Sequence, residues 1–240
     1  MTNDRGRNLL LAALSADDWA RLAPALESVT MPVHREIETS GGEIEYVYFL
    51  DEGIASVIAE SSNGHQVETG IIGREGMTGI GVPLGDHRAT QTVVMQIAGG
   101  GYRIAADRLH QALGESRSML ERMLMFARAF MIQIAHTALS NGAGLLEQRL
   151  ARWLLMLHDR VDGNTLAITH DYIATMLSVR RPGVSVALKV LEEQGLIRVN
   201  RGLIAVVDRQ GLLEKSAGLY GRTESEYRRL LGWSSPRDKA

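Results

Sequence analysis

The chain has 240 residues, 45% apolar and 22% charged, a balance that suits one large or two modest globular domains and excludes a disordered or collagen-like chain. It contains no cysteine, which excludes disulfides, thiolate zinc sites, iron–sulfur clusters and cysteine nucleophiles. The net charge of −2 conceals a division: residues 1–146 carry 11 Lys and Arg against 17 Asp and Glu, whereas residues 147–240 carry 15 against 11, so the C-terminal part suits a polyanion better.

In chain order, residues 9–29 are expected to be helical, with Leu10, Leu14, Leu22 and Leu26 near helical spacing and a break at Met31-Pro32. Leu9–Leu14 is too short for the apolar core of a signal sequence, and Ser15 behind it reads as a helix cap. From about Val33 to Ile104 the pattern changes to short β-branched or aromatic runs: Tyr46–Leu50, Ala55–Ala59, Glu68–Ile72 and Thr92–Ile97. Turns are expected between them at Gly41-Gly42, Asp51–Gly53, Asn63-Gly64, Gly73 and Gly99–Gly101. That alternation predicts an all-β sandwich or jelly-roll barrel, with Asn63-Gly64 as its clearest hairpin.

A short helix over Ala106–Leu113 should stop at Gly114, and Ser118 with Glu121 forms a capping-box pattern opening a long helix. Leu120, Leu124, Ala127, Met131, Ile134 and Ala138 repeat within it every four and three residues, a heptad seam suited to a second copy. Met123, Phe126 and Phe130 supply a second apolar face, so the helix can cover the barrel as well; packing on its own barrel alone is the other reading of the pattern. This stretch is also the most apolar of the chain, but Glu121, Arg122, Arg128, Gln133 and His136 interrupt it, so no membrane span is expected and a cytoplasmic location is. Gly142-Ala-Gly144 is the candidate hinge.

Beyond it, Leu150, Leu154 and Leu157 continue a helical pattern to Asp162-Gly163-Asn164. Leu166–Thr169, a helix to Leu177, a tight turn at Ser178, and a helix from Arg181 to Gln194 closed by Gly195 come next. Two β runs follow, Leu196–Val199 and Leu203–Val207, joined by Asn200-Arg201-Gly202. Helix, turn, helix and hairpin in this order read as a winged helix-turn-helix. Thr169 caps the first helix with Asp171 in its first turn, and Ile173, Leu177, Val179, Val184, Leu188 and Leu191 lock the two helices together, with Ala174 small at their crossing. Arg180, Arg181, Ser185 and Lys189 fall on the opposite side of the second helix. An arginine there can make a bidentate contact to guanine O6 and N7, while Lys189 and the hairpin-tip Arg201 suit phosphates. Such a cluster can also be a plain solvated basic face. Its place at the N-terminal end of the second helix, where readers of this type touch bases, favours DNA. The candidate DNA-contact set is Thr169, Arg180, Arg181, Gly183, Ser185, Lys189 and Arg201.

The helix-turn-helix residues Ile168-Thr169 to Ile197, the barrel residues Val47-Tyr48-Phe49 and Gly53, and the seamed long helix together resemble the Crp/Fnr superfamily of bacterial transcription regulators. The resemblance runs from about Leu9 to Leu213. It implies an α+β chain: a cyclic-nucleotide-binding-like sensor barrel over 9–114, a long dimerisation helix over 115–141, a winged helix-turn-helix over 145–215, and a tail over 216–240. It also implies a homodimer on a pseudo-palindromic DNA site, with RNA polymerase as a further partner. Cyclic-AMP-dependent members follow the arginine matching Arg181 with a base-contacting glutamate; Pro182 stands there instead, so a different half-site is expected.

The phosphate loop departs as well. The family places Gly-Glu at its start and Arg-Ser or Arg-Thr at its end, whereas this chain has Gly73-Arg74-Glu75-Gly76 and Arg88-Ala89-Thr90. Ile134 and Ala135 fall where polar residues meet adenine. The candidate effector residues are Arg74, Glu75, Arg88 and Thr90, and binding of cyclic AMP in the usual way is not expected. A variant cyclic-nucleotide pocket is the alternative, as is a ligand-binding scaffold whose winged helix contacts protein. His34, His65, His87, His110, His136, His158 and His170 are scattered singly, so neither metal nor haem is expected, no cofactor is assigned, and the effector stays open. The chain has no nucleophile elbow, HExxH or Walker A pattern, and no dinucleotide-binding glycine motif, so no enzyme is expected.

Overall fold

A computed structural model describes residues 5–235 and residue 237. The single helix expected over 9–29 is divided. Asn8 caps α1 (Leu9–Ala12), its side-chain oxygen accepting from the Leu10 and Leu11 amides, and Ser15 caps α2 (Ala16–Leu22) by accepting from the Asp18 amide. Pro24 lies in the single 3-10 turn that follows, and Glu27–Met31, expected as the end of the helix, is strand β1. Two caps close together and the β-branched Val29 and Thr30 outweigh the leucine spacing.

Strands β2 (Glu36–Glu38), β3 (Tyr46–Glu60), β4 (Gln66–Ile72) and β5 (Thr92–Ala105) complete an antiparallel sheet of order β1-β5-β3-β4, with β2 also on β5. Of the four expected runs, Tyr46–Leu50 and Ala55–Ala59 are one long strand, β3, and β1 and β2 are strands that no expected run marked. The turns predicted at Asp51–Gly53 and Gly99–Gly101 are not turns: both segments run inside strands and face each other across a series of bulges. A Cβ on Gly99 would stand 2.0 Å from the Glu52 carbonyl oxygen, and one on Gly101 would stand 2.1 Å from that of Phe49. The glycines serve close backbone approach where β3 and β5 bend together, which a turn reading of the sequence mistakes for chain reversal. Asn63-Gly64 does form the β3–β4 hairpin, with Gly64 at φ 82°.

Helix α3 (Ala106–Glu115) leads into the long helix α4 (Arg117–Ala143). Its cap is Ser116, which accepts from the Met119 amide, rather than Ser118, whose hydroxyl donates to Asp18 at 2.8 Å. Met123, Phe126 and Phe130 are buried in the barrel core, as the second apolar face predicts, and Met119 joins them. At 27 residues, with a stretch of mean hydropathy 1.2, α4 is after all long and apolar enough to cross a membrane by length and composition. It is instead packed along the barrel, with Gln133 fully buried and bonded to the backbone of Ile71.

The C-terminal domain comprises α5 (Leu146–His158), β6 (Thr165–Ala167), α6 (His170–Met176), α7 (Arg181–Glu193), β7 (Ile197–Asn200), β8 (Leu203–Val206) and α8 (Arg209–Lys215), with a small sheet of order β6-β8-β7. The segment expected as a tail holds a further helix, α9 (Arg222–Leu231), lying against α4. Tyr227, Leu231 and Trp233 are buried in the barrel core, and the Tyr227 hydroxyl accepts from Gln133 at 2.9 Å. The two domains are not separate bodies: Ile54, Ile58 and Ile71 of the barrel sit in the same apolar cluster as Leu150, Ile173, Val184 and Leu188.

Candidate nucleic-acid interface

The Thr169 hydroxyl caps α6 by accepting from the Tyr172 amide at 3.2 Å. Helix α6 ends at Met176, and Ser178 takes φ 51°, the left-handed conformation where glycine is more usual. Val179 then donates to the Ala174 carbonyl, closing the turn. Helix α7 opens at Arg181 with Pro182 in its first turn, where an amide has no intrahelical partner. Ile173, Leu177, Val184, Leu188 and Leu191 are buried between the helices, and Val179 is partly so. That packing leaves one face of α7 in solvent, where Arg181, Ser185 and Lys189 lie exposed, with Arg180 exposed at the N-cap beside them. Arg201 is exposed at the β7–β8 tip, where Gly202 at φ 71° makes the turn.

Of the seven residues expected at DNA, the fold brings Arg180, Arg181, Ser185 and Lys189 together. Thr169 stands at the start of α6 with its hydroxyl committed to the cap. Gly183 does not join them: its amide donates to the Arg180 carbonyl at 2.9 Å, and a Cβ there would point at Leu146 of α5, 3.4 Å away. The charges are differently engaged. Arg181 Nε lies 2.8 Å from Asp171 Oδ1, and Lys189 Nζ lies 3.6 Å from Glu193 Oε1. Among the described residues Arg180 and Arg201 have no ion-pair partner. Val186, 61% exposed beside these polar groups, offers methyl groups suited to a thymine methyl. The sequence pattern had passed it over because a lone valine on a helix reads as packing.

The effector candidates divide. Arg88 and Thr90 line a cavity of about 300 Å³ between the barrel and α4, walled by Ile44, Val57, Ile72, Val93, Phe130 and Ile134. Arg74 and Glu75 are elsewhere. Arg74 pairs with Asp162 at 2.9 Å, and Glu75, fully buried, pairs at 2.7 Å with Arg160, whose guanidinium lies near the Tyr227 and Trp233 rings. Both therefore belong to the contact between barrel and C-terminal domain. The carboxyl that does reach the cavity is Glu38, whose Oε1 accepts from the Gly79 amide at 2.6 Å and which burial pushes up from its ordinary range. No motif marks it, since β2 is three residues long. Of the expected seam, Ala127, Met131 and Ile134 also line this cavity; Leu120, Leu124 and Ile134 are half-buried, and Met131 is 58% exposed.

Residues 148–215, the span of this helix-turn-helix and its wing, match the Crp-like helix-turn-helix domain. The C-terminal domain is a Crp-like helix-turn-helix. By sequence, no curated protein matches the chain. By structure, the chain shares the fold of Crp/Fnr regulators over about four fifths of its length. It is similar to FixK2 from Bradyrhizobium japonicum, at 19% identity and TM-score 0.69 over 80% of this chain and 98% of that one. It is similar to a CRP-family transcriptional regulator from Thermus thermophilus, TTHB099, at 19% identity and TM-score 0.66 over 79% of this chain and 97% of that one. It is also similar to CLP, a c-di-GMP-responsive global regulator from Xanthomonas campestris, at 16% identity and TM-score 0.64 over 80% of this chain and 99% of that one.

Proposed function

We propose that this Crp-like chain is a homodimeric, sequence-specific DNA-binding transcription regulator acting in the cytoplasm, without enzymatic activity. The observation that carries this reading is the exposed face of α7, where Arg180, Arg181, Ser185 and Lys189 stand together on a helix whose other side is locked in the core. Arg181 reads guanine; Lys189 and Arg201 hold phosphates. The half-exposed stripe of α4 around Met131 is the face a second copy would cover, setting two recognition helices about one DNA turn apart, ~34–36 Å. A pseudo-palindromic site and contact with RNA polymerase belong to the same reading.

The barrel cavity takes a small effector other than cyclic AMP bound in the usual way. Glu75 is sealed against Arg160, and Ile134 presents only apolar atoms, so two of the groups expected to hold a cyclic nucleotide are missing. One observation favours the second reading, a nucleotide in a variant pocket: Glu38, Arg88 and Thr90 meet in the cavity. CLP, a protein of similar fold, is a c-di-GMP-responsive regulator.

Fluorescence anisotropy of the purified protein on its own upstream DNA, at two salt concentrations and with or without cyclic AMP, tests both. Binding that weakens steeply with salt and ignores the nucleotide is expected. No binding to DNA at either salt concentration would point to a protein partner for the wing. Binding that requires cyclic AMP would establish the variant pocket.

A further inference from the structure

Arg181, on which base reading rests, is not a free cation. Asp171, on the first turn of the other helix of the motif, holds its Oδ1 2.8 Å from Arg181 Nε. Both side chains remain largely in solvent, at 64% and 73% exposure, so no buried surface forces them together. A second polar contact spans the same gap, with His170 Nδ1 3.2 Å from Ser185 Oγ. An acid at the edge of a surface meant for a polyanion repels every duplex alike, and that cost calls for a compensating gain.

We propose that Asp171 is a specificity-determining residue of the DNA interface: it cancels the pull of Arg181 on phosphates while leaving its terminal nitrogens to meet guanine. This rests on the reading that Arg181 contacts bases. A lone arginine at this position is attracted to any phosphate oxygen, and phosphates flank every base pair, so much of its binding would carry no sequence information. Paired with Asp171 it brings almost no net charge to the backbone. Neither Nη1 nor Nη2 makes a hydrogen bond among the described residues, so the fork that matches guanine O6 and N7 stays open. Holding the guanidinium from a second helix also narrows the directions in which that fork can point. An exposed pair of this kind is weak in water, but it strengthens when the duplex covers it and water leaves. Arg180 and Arg201, unpaired among the described residues, and the loosely paired Lys189 are left to supply the salt-dependent grip.

The test uses the full chain, a duplex selected by it from randomised DNA, and a scrambled duplex of the same composition. Anisotropy titrations compare the unaltered protein, Asp171→Asn, Arg181→Ala and the double variant. Asp171→Asn is expected to bind the scrambled duplex more tightly, with a logarithmic salt slope steeper by about 0.9, and to lose about tenfold in discrimination between the duplexes. In the Arg181→Ala background the same change should leave discrimination unaltered. If Asp171→Asn raises affinity for both duplexes equally, or shifts their ratio by the same factor with and without Arg181, the acid merely repels DNA and the proposal is overturned. Discrimination that survives Arg181→Ala intact would overturn the base-reading assignment itself, a failure distinct from loss in Arg181→Ala with none in Asp171→Asn.

Discussion

Arg181 and Lys189 lie about two turns apart on α7 and are expected to do different work. Arg181→Ala should weaken binding to the preferred site by about 1–3 kcal/mol and relax base preference, because a bidentate contact to guanine is lost. Lys189→Ala or Arg201→Ala should weaken all sequences alike and lower the salt slope by about 1, both measurable by anisotropy across a salt series. A second residue-scale expectation concerns Glu68, fully buried where the barrel meets α5. It accepts from the Trp153 indole and the Ser56 hydroxyl, each at 2.6 Å. Burial, opposed by those hydrogen bonds and by the charges of Arg152 and Arg160, raises its carboxyl from 4.5 to about 7. The folded chain thus holds this proton more tightly than the unfolded chain does. Its stabilising effect is full below about pH 4.5 and is lost as pH rises through about 7, on the order of 3 kcal/mol. Glu68→Gln should therefore match the unaltered protein in urea unfolding near pH 4.5 and exceed it at pH 8; equal stability at both would show an ordinary carboxylate. The basic residues of α7 were legible because helix spacing alone puts them opposite Val184 and Leu188. Glu38, Glu68 and the Glu75–Arg160 pair were not, since each acquires its surroundings from chain segments far away in sequence.

At the scale of elements, the long helix shows what periodicity can and cannot decide. The spacing of Met123, Phe126 and Phe130 located the face that enters the barrel core. The stripe of Leu120, Leu124, Ala127, Met131, Ile134 and Ala138 lies beside that face, and in a single chain it is only partly covered. Met131→Glu, on a side chain 58% exposed, and Ile134→Glu are each expected to abolish the proposed dimer and give monomers in sedimentation. A dimer that survives both would place the interface elsewhere. The glycine-bearing segments of β3 and β5 were misread as turns for a physical reason: glycine marks chain reversal and close backbone approach equally, and only the pairing partner distinguishes them. The helix-turn-helix suffered no such ambiguity, because caps, breaks and apolar spacing agree at α6, α7, β7 and β8.

Over the whole molecule, the barrel and the C-terminal domain are joined by more than the short link after α4, which runs through the expected hinge residues Gly142 and Ala143 and ends only at Gly144. Barrel isoleucines enter the C-terminal core, α9 returns to lie on α4, and Arg160 carries a buried charge from the C-terminal domain to Glu75 of the barrel. Glu75→Ala leaves that guanidinium buried without its counter-charge and should cost about 3–5 kcal/mol in urea unfolding. A loss within experimental error would mean that the guanidinium finds water or another partner. Strand β4 stands between the two regions, with Ile72 on the cavity and Ile71 in the C-terminal cluster, so a shift there bears on both. Long-range joins of this kind leave no local pattern, which is why the last 25 residues read as a tail. Hydroxyl-radical footprinting of the full chain on a duplex selected from randomised sequence tests whether it is a paired winged-helix reader of DNA. Two protected half-sites related by two-fold symmetry, about one helical turn apart or a multiple of it, are the expected result. A single unpaired footprint, or uniform protection without preference for the selected sequence, would contradict it.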